Sequence, residues 1–111
     1  SHNPCTESHH RHAIGASSLL YTDGVKLLAE ATQCYWLLTA ILSYQPKLKQ
    51  EEFQSWTLSF IEEGEYWRVT ADDDNGRQLA TRAISWSDFP AGLLPLELWL
   101  SGGVLLLPEK Y

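Results

Sequence analysis

The chain has no cluster of positive charge. Its eight basic residues, Arg11, Lys26, Lys47, Lys49, Arg68, Arg77, Arg82 and Lys110, are scattered among fourteen Asp and Glu, leaving a formal charge of −6. Nucleic acids and anionic bilayers are gripped by clustered Lys and Arg, so neither is expected as a partner. Cysteine is scarce: Cys5 stands in a polar stretch and Cys34 in an apolar one, which is no disulfide framework. Long hydrophobic runs are lacking too. The longest near-apolar stretch, Cys34 to Leu42, is interrupted by Thr39 and is far short of the about 20 residues that cross a bilayer. With no signal-type segment either, the expected location is cytoplasmic. Histidine stops at His12, and no G-x-S-x-G, P-loop or dinucleotide fingerprint occurs.

What is present suits one globular domain. In 111 residues, 44% are hydrophobic and 20% charged, enough apolar material for one core. Five Trp, five Tyr and three Phe supply large side chains for it.

Residues 1–12 are polar and are read as a flexible tail, with a single α+β domain over 13–111. Thr22-Asp23-Gly24 resembles a helix start, since Thr or Asp can accept from the first free N–H groups. Apolar positions then recur at helical spacing from Val25 to Leu42, and Gln45-Pro46 ends the pattern. One straight helix of that length would span about 30 Å, so a break near Thr32-Gln33 is expected. After Glu52 the period becomes two, giving strands at Trp56–Ile61, Tyr66–Ala71, Gln78–Trp86, Leu96–Leu100 and Val104–Leu107. Asp74-Asn75-Gly76 is a hairpin turn, because Asn and Gly accept positive φ. The expected fold is therefore an N-terminal helix, or a broken helix pair, packed on an antiparallel sheet of about five strands. Its expected core holds Leu28, Tyr35, Trp36, Leu38, Leu42, Trp56, Leu58, Phe60, Val69 and Ile84.

Each candidate site carries a plain alternative. Cys5, His9, His10 and His12 are possible zinc ligands, but they form one crowded group with no second ligand pair downstream, so no metal is assigned. The Asp72–Gly76 run fails as a calcium loop: with Gly76 sixth, Ala71 stands first and Arg82 twelfth, where carboxylates are needed. Glu62, Glu63 and Glu65 lie a strand length from Asp72, too far for a paired-carboxylate hydrolase. Cys34 has no basic neighbour in sequence and reads as an inert core thiol. No catalytic residue and no cofactor is assigned.

Tyr21-Thr-Asp-Gly-Val-Lys-Leu-Leu-Ala-Glu, Tyr35-Trp36-Leu-Leu, Glu52-Phe53-Gln-Ser-Trp56, Asp88-Phe89-Pro90 and Leu105-Leu-Leu-Pro108-Glu-Lys-Tyr111 together resemble a family of small bacterial domains of unknown function, found in cyanobacteria, proteobacteria and mobile elements. The resemblance spans Leu20 to Tyr111, and implies a cytosolic bacterial origin and no established activity.

The leading reading is a non-enzymatic domain that binds another protein or itself. Tyr and Trp are favoured interface anchors, and Val104-Leu105-Leu106-Leu107, apolar on both faces, would be an exposed edge strand in a simple meander. Such an edge calls for a twofold dimer or for insertion within the sheet. The alternative is a small-molecule site or uncharacterised enzyme with a pocket between helix and sheet, built from Tyr35, Trp36, Trp56 and Trp67.

Overall fold

The computed structural model describes residues 9–108. Two strands come first: β1 (His9–Ile14) and β2 (Ser17–Thr22). Helices α1 (Asp23–Thr32) and α2 (Tyr35–Tyr44) follow, and a 3-10 turn at Gln45–Lys47 leads to β3 (Phe53–Ile61), β4 (Tyr66–Asp72) and β5 (Gln78–Ile84). A loop containing a second 3-10 turn, Ala91–Leu93, reaches the final hairpin, β6 (Leu96–Ser101) and β7 (Val104–Leu106).

All seven strands join one sheet in the order β1-β2-β7-β6-β3-β4-β5. Every neighbouring pair is antiparallel except β2 and β7, which pair in parallel through Leu20↔Val104 and Tyr21↔Leu105. Helix and sheet are both present, but the expected architecture is corrected. The sheet is mixed and has seven strands instead of about five, and the helices are short and lie mid-chain. Strand β1 also crosses the boundary set between residues 12 and 13. Its sequence, His-His-Arg-His-Ala-Ile, hid it: an edge strand exposed along much of its length needs backbone pairing and no apolar alternation. The parallel pair joins residues more than eighty positions apart, which local periodicity does not report.

The helix break is where expected. Thr22 Oγ1 accepts from the Val25 amide at 3.5 Å to start α1, and Gln33 ends it in the left-handed region at φ 59°. Both helices lie on one face of the sheet. Val25 and Ala29 of α1 and Leu37, Leu38, Ile41 and Leu42 of α2 pack there with Leu19, Tyr21, Trp56, Leu58, Val69, Leu96, Leu98, Leu100 and Leu105. Of the expected core, Leu38, Leu42, Trp56, Leu58 and Val69 are buried; Leu28, Tyr35, Trp36 and Ile84 are half-buried at its margin. Phe60 is 40% exposed, because it sits at the end of β3 beyond the helices. The strand expected at an edge, β7, is central: Leu105 is fully buried, while Leu107, just past its end, stays partly exposed.

One polar residue belongs to this core. Gln54, 1% exposed, uses its whole amide: it exchanges two 2.9 Å hydrogen bonds with Gln45, accepts from Trp56 Nε1 at 2.9 Å and donates to the Glu51 carbonyl at 3.4 Å. Gln45 also donates to the Ile41 carbonyl, so the network clamps the end of α2 onto β3. Gln54→Leu is expected to destabilise the chain although it adds apolar volume, because it strands the Trp56 N–H and the Gln45 amide at about 1–3 kcal/mol each. A thermal melt checks this: a fall of several degrees is expected, and an unchanged midpoint would show that the network adds nothing.

Candidate functional site

The strand beginning at His9 brings imidazoles against the helices. His10 donates from Nε2 to Asp23 Oδ1 at 2.6 Å, and its ring lies 5.5 Å from that of Tyr21. His12 shares a 2.9 Å hydrogen bond with Thr39 Oγ1 and stacks on Tyr35 at 6.2 Å. His10 and His12 thus face the helix side, and alternation turns His9 to the other face. The spacing from His9 to His12 suits a turn but separates the two rings in a strand. Among the described residues no group of three or more His, Cys, Asp or Glu is placed to hold a metal ion, and Cys5 lies outside them. Nor is a Ser, Thr or Cys side chain hydrogen-bonded to His10 among them. The cluster fastens β1 to Asp23 at the start of α1 and to Tyr35 and Thr39 of α2.

The acidic run has a structural explanation. Asp73 Oδ1 accepts from the amides of Asn75 and Arg77 at 2.9 and 2.8 Å, and Oδ2 from Arg77 Nε at 3.2 Å. The Arg77 amide foremost, with Asn75 and the guanidinium, holds the Asp73 carboxyl below its ordinary range. Arg77 also reaches Glu51 at 3.0 Å. Asp73 is a turn former.

The four aromatics proposed for one pocket are placed apart. Trp56 is 2% exposed, in the core beside Tyr44 at a ring distance of 5.7 Å. Tyr35 stands under His12, where burial and then a hydrogen bond with Tyr21 push its hydroxyl pKa up. Trp67 lines an apolar hollow of about 500 Å³ with Phe60, Leu94 and Pro95. Trp36 lines a different cleft, of about 600 Å³, between α2, β5 and the loop after β5.

That second cleft carries the chemistry. Helix α2 contributes Trp36, Thr39, Ala40 and Ser43, one stripe at helical spacing, and β5 contributes Arg82 and Ile84. Trp86, Ser87 and Asp88 complete it from the loop, which is pinned by the buried Phe89. Three of the polar groups are already engaged: Thr39 by His12, Ser43 by the Ala40 carbonyl and Ser87 by the Phe89 amide. Two are not. Among the described residues neither Arg82 nor Asp88 makes an ion pair or side-chain hydrogen bond, with each other or elsewhere. Trp86, 73% exposed, stands beside them. A solvated tryptophan next to an unpartnered guanidinium is equipped to take an anionic group attached to an apolar or aromatic body.

Arg82, Trp86 and Asp88 were not legible as site residues. Arg82 pairs with the buried Val69 across the ladder and so faces the helix side. In sequence Ala80, Ile84 and Trp86 share its parity while Leu79 and Ala83 have the opposite one, so alternation does not fix which way Arg82 faces, and the ladder shifts register at Ala71/Asp72.

The chain belongs to the DUF6876 family, a family of unknown function whose model matches residues 1–111. No match was found among curated proteins or among solved structures. No helix among the described residues is long and apolar enough to cross a membrane.

The core position of Cys34, 1% exposed, generates a simple expectation. Burial, first among its causes, raises the thiol pKa and so suppresses the reactive thiolate. Iodoacetamide followed by peptide mass mapping is expected to label Cys34 only on unfolding. Rapid labelling in the native chain would show that the α1–α2 junction opens.

Proposed function

We propose that the chain is a non-enzymatic recognition domain, working in a bacterial cytoplasm, whose ligand sits in the cleft between α2 and β5. One observation carries the reading: Arg82 lines that cleft beside Trp36 and Trp86 and, among the described residues, forms no ion pair, not even with Asp88 of the same lining. An acidic chain that leaves a guanidinium open next to aromatic surface has a place for a carboxylate, sulfonate or phosphate on an apolar frame. The bacterial and cytoplasmic parts of the reading lean on the residues that resemble bacterial domains and on the scarcity of cysteine.

Anilinonaphthalene sulfonate, an aromatic body bearing one anion, is a direct probe. Its fluorescence is expected to rise on the native chain, with amide shifts confined to residues 36–43 and 82–88, and to fall sharply for Arg82→Gln. An R82Q chain with an unchanged melt and unchanged dye binding would overturn the reading.

A second reading, self-association, has its own support on the opposite face of the sheet. No helix among the described residues covers that face, where Leu20, Val104, Leu106, Trp99 and Phe53 are all half-buried. Phe53 and Trp99 meet edge to face at 5.5 Å, and Trp99 Nε1 donates to Glu97 at 2.7 Å. Half-buried aromatics with satisfied polar atoms suit an interface. A dimer on this face no longer depends on an edge position for β7. Light scattering behind size exclusion is expected to give twice the chain mass, and half of that for Trp99→Ser; a monomer at all accessible concentrations would exclude it.

A further inference from the structure

The cleft is bordered by an open sheet edge. Among the described residues strand β5 pairs with β4 alone, so over Gln78–Ile84 the backbone groups on its outer side have no strand partner there. A strand laid beside β5 would continue the ladder, and its alternate side chains would point to the helix side, into the cleft lined by Trp36, Ile84 and Trp86. What such a strand must carry is set by Arg82. This side chain points inward on an edge strand, and an inward charge normally blocks indiscriminate pairing. The block lifts only for a strand that brings a carboxylate to the opposite position, where cross-strand charge pairs attract and like charges repel. A second copy of β5 is refused by this rule, since Gln78-Leu-Ala-Thr-Arg-Ala-Ile carries Arg82 and no acid.

We propose that the occupant of the cleft is an extended segment of a partner protein, added to the sheet as an eighth strand beside β5. The proposal rests on the reading of the cleft as a ligand site and names its ligand class. The segment carries Asp or Glu opposite Arg82 and an apolar side chain opposite Ile84. Because cleft-facing positions alternate, the recognised pattern is acidic-x-apolar, or its reverse if the segment runs the other way. Trp36 and Trp86 cover the apolar residue, and the ladder to β5 supplies affinity that does not depend on sequence.

The test pans a phage-displayed random peptide library against the whole chain, then titrates the winners as synthetic peptides. Enriched sequences are expected to share the acidic-x-apolar pattern, and Arg82→Glu to weaken them by at least about tenfold, or 1.4 kcal/mol. N-methyl groups placed on every second peptide nitrogen are expected to abolish binding in one register and to be tolerated in the other, since only alternate amides face β5. Winners that lack a carboxylate, or that bind the R82E chain equally, overturn the proposal. Winners that shift Trp36 and Trp86 signals but tolerate N-methylation in both registers overturn the strand addition and leave the cleft as a site. Dye binding without any peptide enrichment does the same, whereas loss of both refutes the cleft reading as well. A chain that enriches no peptide, and self-associates once Arg82 is changed to Ala, would make Arg82 a guard against pairing and nothing more.

Discussion

The sheet is closed from the middle by its last hairpin. Strands β2 and β3 run in the same direction, because β7 is parallel to β2, β6 opposes β7, and β3 opposes β6. The two helices therefore form a crossover between strands that do not touch, and the gap is two strands wide. Residues 96–106 fill it. Their inward side chains, Leu96, Leu98, Leu100 and Leu105, lie beneath the helices and provide the apolar floor that α1 and α2 need. Without them β2 would have only β1 as a neighbour, and a two-stranded hairpin is marginal in water by itself. The first hairpin, the helices and the β3–β5 meander all depend on the β6–β7 hairpin. That dependence is non-local, and contacts of such large sequence separation slow folding.

The same closure accounts for the cleft. With β6 and β7 in the centre of the sheet, no strand among the described residues flanks β5 on its outer side, and the loop after it travels back over the helix face to reach β6. Phe89 anchors that passage in the core. The Gln45–Gln54–Trp56 network fixes the other wall by holding the end of α2 on β3. A buried amide with all its hydrogen bonds made tolerates little displacement, since each partner lost is left dry and unsatisfied. Helix, strand and loop are thus set from independent anchors, and the cleft is the space among them.

Such an arrangement is only partly readable from residues. The local hairpins were legible because Trp56-Leu58 alternates with Thr57-Ser59 and because Asp74-Asn75-Gly76 accepts a tight turn; burial of one face writes period two into a strand. The helix break at Gln33 was legible from length. Strand β1 was not, since its pairing uses backbone and its side chains face water or the polar starts of helices. The parallel seam was not, since Leu20, Val104 and their neighbours are apolar in any register. Gln54 reads as an exposed glutamine until its three partners are assembled in space. At the cleft, Trp36 stands out in sequence as an aromatic beside Tyr35, Trp56 and Trp67, which the fold sends to other places. Neighbours in sequence separate on a helix or strand, and site membership follows from which faces meet.

The charges close the argument about Arg82. Acid outnumbers base fourteen to eight, yet among the described residues only Lys26 and Arg77 of the Lys and Arg side chains form ion pairs. Lys26 takes Glu30 one helical turn away, and Arg77 takes both Asp73 and Glu51. Among the described residues Arg82 forms none, and neither do Arg11, Lys47, Lys49 and Arg68, but of these five it is Arg82 that lines the cleft, together with Asp88. A guanidinium left open in an acidic protein keeps its donors available at the edge of a sheet, beside two tryptophans. Pairing it internally would have been easy with one more acidic side chain on β5 or α2, and neither element supplies one. The open cation and the open strand edge coincide on β5, and the proposed ligand's shape and charge rest on their coincidence more than on either alone.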